Sequence, residues 1–282
     1  MRFFRELLSS RELLANLTLR EIRGKYKRTV FGQLWSLANP LALMLIYTFV
    51  FSLVFRIKPD IGDPSGLNSF ALWLLCGLLP FTFLSTVITK GVGSLVENAV
   101  LIQKVSFNRI VLPLSLVGSA GYNWLFEMGV LVLALTIAVG VLGGIMLQWL
   151  PLVLVAMLLL AVFAAGLALM LAIANVYFRD TQWFVSILLQ MWMYLSPVIY
   201  PSSMVSGVSP QLGGLFGTPI HLADLYYLNP MVHFLDLFRN LLYDNRWPDV
   251  ATWLICLAWA VGVFVIGVIV FRRNERNLAE TL

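Results

Sequence analysis

Few side chains in this chain could carry out chemistry. Glu127 is the only acidic residue deep inside an apolar run. A charge at mid-bilayer costs roughly 2.5–3.5 kcal/mol on insertion scales, so this carboxyl is expected to face protein, a cavity or a polar partner. It could couple a proton, contact a substrate, or simply hydrogen-bond a neighbouring helix; an isolated carboxylate with no second acid or histidine relay fits the structural role better. His221 and His233 have no cysteine or carboxylate pattern of zinc-site spacing around them. No serine sits in a nucleophile elbow. The chain has no Gly-x-x-x-x-Gly-Lys-Ser/Thr, so ATP-driven work would need a second polypeptide. Cys76 and Cys256 lie within apolar runs and read as buried thiols without a metal or disulfide role.

Two further groups have binding potential. Trp183, Trp192, Tyr194, Tyr200, Tyr226, Tyr227, Phe234, Phe238, Tyr243 and Trp247 cluster near the fifth apolar run and the loop after it, and Tyr47 and Phe51 lie on the first. An interfacial aromatic belt accounts for many of them. A lining on which sugar rings slide is the alternative, since flat aromatic faces meet sugar C–H faces without fixing one register. The second group is Ser94 to Arg109. Ser94 and Glu97 have capping-box spacing, so a short helix is expected to start there, with Leu95, Ala99 and Ile102 on one apolar face. An ordinary turn would not need that pattern. A docking helix for a partner explains exposed Leu101 and Ile102 and the flanking Lys104 and Arg109.

The elements that must position these groups follow from composition. Sixty per cent hydrophobic and twelve per cent charged residues over 282 positions, with a mean hydropathy of +0.88, exclude a water-soluble domain. One all-α integral membrane domain is expected over 1–282. Residues 1–35 read as an amphipathic interface helix, with Phe4, Leu8, Ala15, Leu19, Ile22 and Tyr26 on one face and Arg20, Arg23 and Lys27 on another. The opening Met-Arg-Phe-Phe-Arg-Glu does not resemble a cleavable signal peptide. Six transmembrane helices are expected at about 36–56, 70–90, 111–140, 149–175, 181–196 and 250–271. Asn39 suits the N-cap and Pro40 the first helical position of the first span. Pro80 could kink the second, and Gly143-Gly144 reads as a tight turn after the third.

The segment 197–249 is long, rich in Gly and Pro, and still apolar, and reads as an outer gate region with short re-entrant helices. Ser196-Pro197 stops the fifth span, and Asn229-Pro230 opens a helix with Met231, Phe234, Leu235, Phe238, Leu241 and Leu242 on one side. His233, Asp236 and Asn240 share the other. Six spans place both termini on one side. Fifteen of the nineteen Lys and Arg then fall on that side and only Arg56, Lys58, Arg239 and Arg246 opposite, the bias expected if the termini are cytoplasmic. The net charge of +5 sits at membrane borders, which points to anionic lipid headgroups rather than nucleic acid.

Four stretches resemble the permease subunits of ABC-2-type exporters, in the branch that moves lipid-linked polysaccharides such as O-antigen, capsule, teichoic acid and galactan. They are Arg20 to Trp35 with Asn39-Pro40-Leu41; Asn98 to Phe107 with Leu112-Pro113-Leu114; Tyr194 to Tyr200; and Leu228-Asn229-Pro230 with Phe238-Arg239. The resemblance covers nearly the whole chain and is more specific for the family than for the cargo. It implies a homodimer with a channel between subunits in the cytoplasmic membrane of a bacterium. Two copies of a cytoplasmic nucleotide-binding ATPase, which hold ATP and Mg, would dock beneath it. Residues 94–108 correspond to the coupling helix, with Glu97, Asn98, Leu101 and Lys104 as contacts. Trp183, Trp192, Tyr194, Tyr47, Phe51 and Glu127 are expected along the channel, and Pro197, Asn229, Pro230, Phe234 and Phe238 at the outer gate. Val205 to Asp224 is longer and richer in Gly than the family pattern. An ABC-2 exporter of small amphiphiles or drugs is the alternative in the same mechanical class. A proton-coupled secondary transporter relying on Glu127 is the alternative in another, with a membrane-embedded transferase last.

Overall fold

The computed structural model describes residues 10–56, 61–105, 107–141, 147–212, 221–275 and 278. Among them every regular element is helical: α1 (Arg11–Lys25), α2 (Trp35–Tyr47), α3 (Phe70–Gly93), α4 (Ala99–Lys104), α5 (Val111–Val141), α6 (Leu150–Tyr177), α7 (Thr181–Leu195), α8 (Ser202–Leu212), α9 (Leu222–Tyr227), α10 (Pro230–Arg239) and α11 (Val250–Asn274). The Gly143-Gly144 turn and Phe4 and Leu8 lie outside the described residues.

Five segments are long and apolar enough to cross a bilayer: Gly32–Val54, which contains α2, then α3, α5, α6 and α11. This is an all-α integral membrane protein. The fifth expected span is the exception in length. At 15 residues α7 rises about 22 Å, short of a hydrocarbon core of roughly 30 Å. Ser196 turns to an extended conformation ahead of Pro197 and ends it.

The first span departs from expectation at both ends. A 3-10 turn (Gly32–Leu34) leads into α2, and wider π turns (Thr48–Val54) carry it on. Pro40 therefore lies inside α2 rather than at its start, where its missing N–H forfeits one bond to the Ser36 carbonyl. Within the described part of the interface segment, the α-helix stops well before residue 35. α1 ends at Lys25, and left-handed backbone at Arg28 and Gly32 breaks the chain before α2. Its packed face is Leu13, Leu14 and Leu17 rather than Ala15 and Leu19, which are exposed. The reason is that α1 lies against α5: the Thr18 methyl reaches Gly118 and the Tyr26 hydroxyl donates to Asn123 Oδ1 at 2.5 Å.

Burial grades the helices. The most apolar stretch of α3 is 67% buried and that of α6 56%, against 28% for α5, 22% for α11 and 6% for the first span. In lipid there is little hydrophobic drive between helices, so they associate by close packing, and small residues let backbones approach. A Cβ on Gly166 of α6 would lie 2.6 Å from the Val263 carbonyl of α11, and one on Gly267 would run into the Gly166 carbonyl. A Cβ on Gly91 of α3 would lie 2.6 Å from the Ala168 Cβ of α6. The three helices meet at these contacts, with Cys76 and Cys256 buried as free thiols.

The ends of the helices gather into two faces. On one, Leu17, Leu95, Ile102, Ile110, Phe271 and Leu278 form a small apolar cluster joining α1, α4 and the end of α11. On the other, Trp149 Nε1 donates to the Asn245 carbonyl at 3.0 Å and the Tyr243 hydroxyl to the Leu67 carbonyl at 2.9 Å.

Close packing at Gly267 yields a measurable contrast with Gly262, where an added Cβ meets nothing within 4 Å. Gly267→Ala is expected to destabilise the purified protein by about 1–3 kcal/mol. Gly262→Ala is expected to be neutral or to add up to about 1 kcal/mol from helix propensity. Thermal unfolding in detergent checks both.

Candidate functional site

The residues singled out from sequence fall into three places. The first is the segment after α3. Helix α4 begins at Ala99, not Ser94, because the Ser94 hydroxyl turns back to donate to the Gly91 carbonyl at 2.6 Å. Asn98 Nδ2 then donates to the Ser94 carbonyl at 2.9 Å, and no capping box forms. The Glu97 side chain folds against Gly93, where a Cβ would lie 2.5 Å from its carboxyl oxygen. Ile102, expected to be exposed, is buried in the cluster with Leu17 and Phe271, and Leu101 is half-buried against it. The outward residues are Glu97, Val100, Gln103, Lys104 and Val105, with Val100 64% and Val105 52% exposed. Arg109 Nη1 donates to the Glu275 carbonyl, which ties the segment to the end of α11. A cation-flanked apolar edge is thus held on a packed base.

Trp183 belongs to this end of the molecule. It lines a cleft of about 290 Å³ with Thr89, Val92, Glu97, Gln182, Val185 and Ser186, between the end of α3 and the start of α7. The sequence had grouped it with the aromatics that follow. Trp183 and Trp192 are nine residues apart, about 13.5 Å along the helix, so the two mark opposite ends of α7.

The second place is the junction of α7 with α10. Asn229 caps α10, as expected, its Oδ1 accepting from the Met231 N–H at 3.0 Å. The same oxygen accepts from Trp192 Nε1 at 2.8 Å, while Nδ2 donates to Ser196 Oγ at 2.9 Å and to the Leu195 carbonyl at 3.3 Å. One amide thereby fixes the end of α7, the turn at Pro197 and the start of α10. Helix α10 is amphipathic as read from sequence: Met231, Phe234, Leu235 and Phe238 are fully buried, and His233, Asp236 and Asn240 are half-buried. Phe234 meets Phe163 at 5.5 Å and Phe238 meets Trp124 at 5.8 Å between ring centroids. Phe234, Phe238 and Pro197, expected at an outer gate, are therefore core residues packed into the bundle. Tyr194 is the exposed member, its hydroxyl facing that of Tyr47 on the first span. From Tyr47 a chain of rings runs through Phe51 (6.2 Å), Phe70 (6.4 Å) and Trp73 (5.7 Å).

That chain ends on Arg239, which the charge pattern counts among the four outer-side cations. Arg239 is 6% exposed, its guanidinium 3.7 Å over the Trp73 ring and its Nη2 donating to the Val198 carbonyl at 3.0 Å. Gly77 makes the room, since a Cβ there would lie 2.8 Å from Nη2. Burial pushes Arg239 down to about 10, opposed chiefly by Asp236, and it stays charged at neutral pH. Burial likewise pushes the Asp236 carboxyl up, with Arg239 opposing. The spacing of Asp236 and Arg239, one helical turn apart, was the available signal.

The third place is around Glu127. The structure does not bring it to Trp192 or Tyr194. It lines a cavity of about 180 Å³ whose polar wall is Lys25, Ser36, Asn39, Thr82, Thr86 and Asn123.

These geometries stand beside clear relatives. The family model described as ABC-2 type transporter matches residues 12–243, and the chain belongs to that membrane-protein family. Over 283 residues it is 31% identical to the O-antigen export system permease protein RfbA of Myxococcus xanthus, covering 100% of both chains. It is 31% identical to the protein of the same name from Klebsiella pneumoniae over 96% of this chain and 95% of that one. It is 26% identical to the polysialic acid transport protein KpsM of Escherichia coli over 93% of each.

Asn229→Ala removes the cap and strands the Trp192 N–H. We expect destabilisation of about 2 kcal/mol or more, from a cap worth roughly 0.5–2 and an unpaired buried donor worth roughly 1–3. Asn229→Asp, which keeps both accepted bonds, should lose less. Thermal unfolding of the two variants measures the difference.

Proposed function

We propose that this chain is the transmembrane subunit of an ATP-driven exporter that moves a lipid-linked polysaccharide across the cytoplasmic membrane of a bacterium. The observation that carries the reading is full-length similarity, at 31% identity, to permeases named for O-antigen export. Two copies pair, with a conduit between them and both termini in the cytoplasm. The first span supports pairing: it is only 6% buried, and Leu45, Ile46, Phe49, Leu53 and Val54 are all exposed.

Two ATPase subunits supply the energy, and ATP with its Mg belongs to them. Each docks on the edge formed by Glu97, Val100, Lys104 and Val105. Nucleotide-driven approach of the ATPases displaces these edges. Because α4 is packed on α1 and α11, the motion passes to the spans as a shift between closed and open states. Tyr47, Tyr194 and Trp192 line the outer part of the path, offering ring faces that release each sugar repeat as readily as they bind it. Trp183 stands at the inner mouth.

The docking edge is tested by Glu97→Arg and Val100→Asp, both outward-facing substitutions. Each is expected to cut the amount of ATPase subunit retained on the affinity-purified chain at least tenfold while membrane levels stay unchanged. Full retention in both variants would move the docking site elsewhere.

A further inference from the structure

The cavity beside Glu127 has an unusual charge pattern. Lys25 and Glu127 both line it, yet among the described residues no cation lies within ion-pair distance of the Glu127 carboxyl. Ser36, 8% exposed, sets its hydroxyl against that carboxyl. A space of about 180 Å³ greatly exceeds the roughly 10–15 Å³ that one water requires.

Its depth points to the occupant. Glu127 lies fourteen residues from the Val141 end of α5, about 21 Å, and Asn123 about 27 Å. Lys25 reaches it from α1, which shares one apolar cluster with the docking segment, so the cavity faces the docking-segment side of α5. Trp35, 54% exposed, stands at its mouth, where an interfacial aromatic belongs. Pro40 and the stacked pair Phe83–Trp124, 4.1 Å apart, supply apolar walls.

From this geometry we propose that the cavity seats the headgroup of an aminophospholipid of the phosphatidylethanolamine type, its phosphate toward Lys25 and its ammonium toward Glu127 and Ser36. A diphosphate or other anion would set like charge against Glu127, and a neutral sugar would leave both charges unmatched. A zwitterion with an N–H donor satisfies the carboxylate, the serine hydroxyl and the lysine together. The inference goes beyond the export reading and does not depend on which cargo is moved.

The test uses the full chain with its ATPase subunit, purified and stripped of lipid in detergent. Thermal unfolding is followed while phosphatidylethanolamine, phosphatidylcholine or phosphatidylglycerol of matched acyl chains is added. Phosphatidylethanolamine is expected to reach half-maximal stabilisation at a mole fraction at least tenfold lower than either other lipid. Glu127→Gln should shrink that preference below threefold. Lys25→Ala, at an exposed position, should weaken the phosphatidylethanolamine response at least fivefold and serves if Glu127→Gln does not fold. Equal responses to phosphatidylethanolamine and phosphatidylglycerol would overturn the proposal. So would an undiminished preference in a folded Glu127→Gln, or an unchanged response in Lys25→Ala.

Discussion

The architecture depends on backbone contact between α6 and its neighbours. Lipid chains are as apolar as leucine, so oily helices gain nothing by merely touching; they stay together where surfaces fit closely. Gly166 against Gly267, and Gly91 against Ala168, bring α3, α6 and α11 near enough for many atoms to meet. Those three helices form the fixed part of the subunit. The first span, α5 and α11 all leave most of their surface exposed, and α7 exposes one side as well.

Onto that core α10 and the turn after α7 are fastened by polar groups that water would otherwise satisfy. Backbone at membrane depth is tolerated only where its hydrogen bonds are supplied internally. Asn229 does this for the α7–α10 junction with four bonds from one amide. Arg239 does it for the turn at Val198, and its charge is offset by the Trp73 face rather than by a carboxylate in contact. The end of α7 and the start of α10 are therefore one unit: Trp192 hangs from the residue that caps α10. A change at either end shifts both.

Much of this was legible in the chain. Charge-free runs of span length, the Asn229-Pro230 cap and the two faces of α10 follow from local patterns, because hydropathy and capping are set by near neighbours. What was not legible depended on distant partners. Ile102 has the same spacing whether it faces a companion protein or Leu17 and Phe271 of its own chain. Arg239 counts as an outer cation in sequence, and only Gly77 and Trp73, more than 150 positions away, show that it is buried. Pro40 looked like a helix start because Asn39-Pro40 is a good start signal, yet the preceding residues were free to extend the helix back to Trp35. The Glu127 cavity needed α1, the first span, α3 and α5 all in place, so no single stretch could announce it.

The central claim is that this chain is a passive conduit energised by a separate nucleotide-hydrolysing subunit. Reconstitution in sealed vesicles tests it most directly, by following a fluorescent lipid-linked glycan across the bilayer. The account predicts movement only when both polypeptides and hydrolysable ATP are present. Movement by the chain alone, or driven by a pH gradient in the absence of nucleotide, would contradict it.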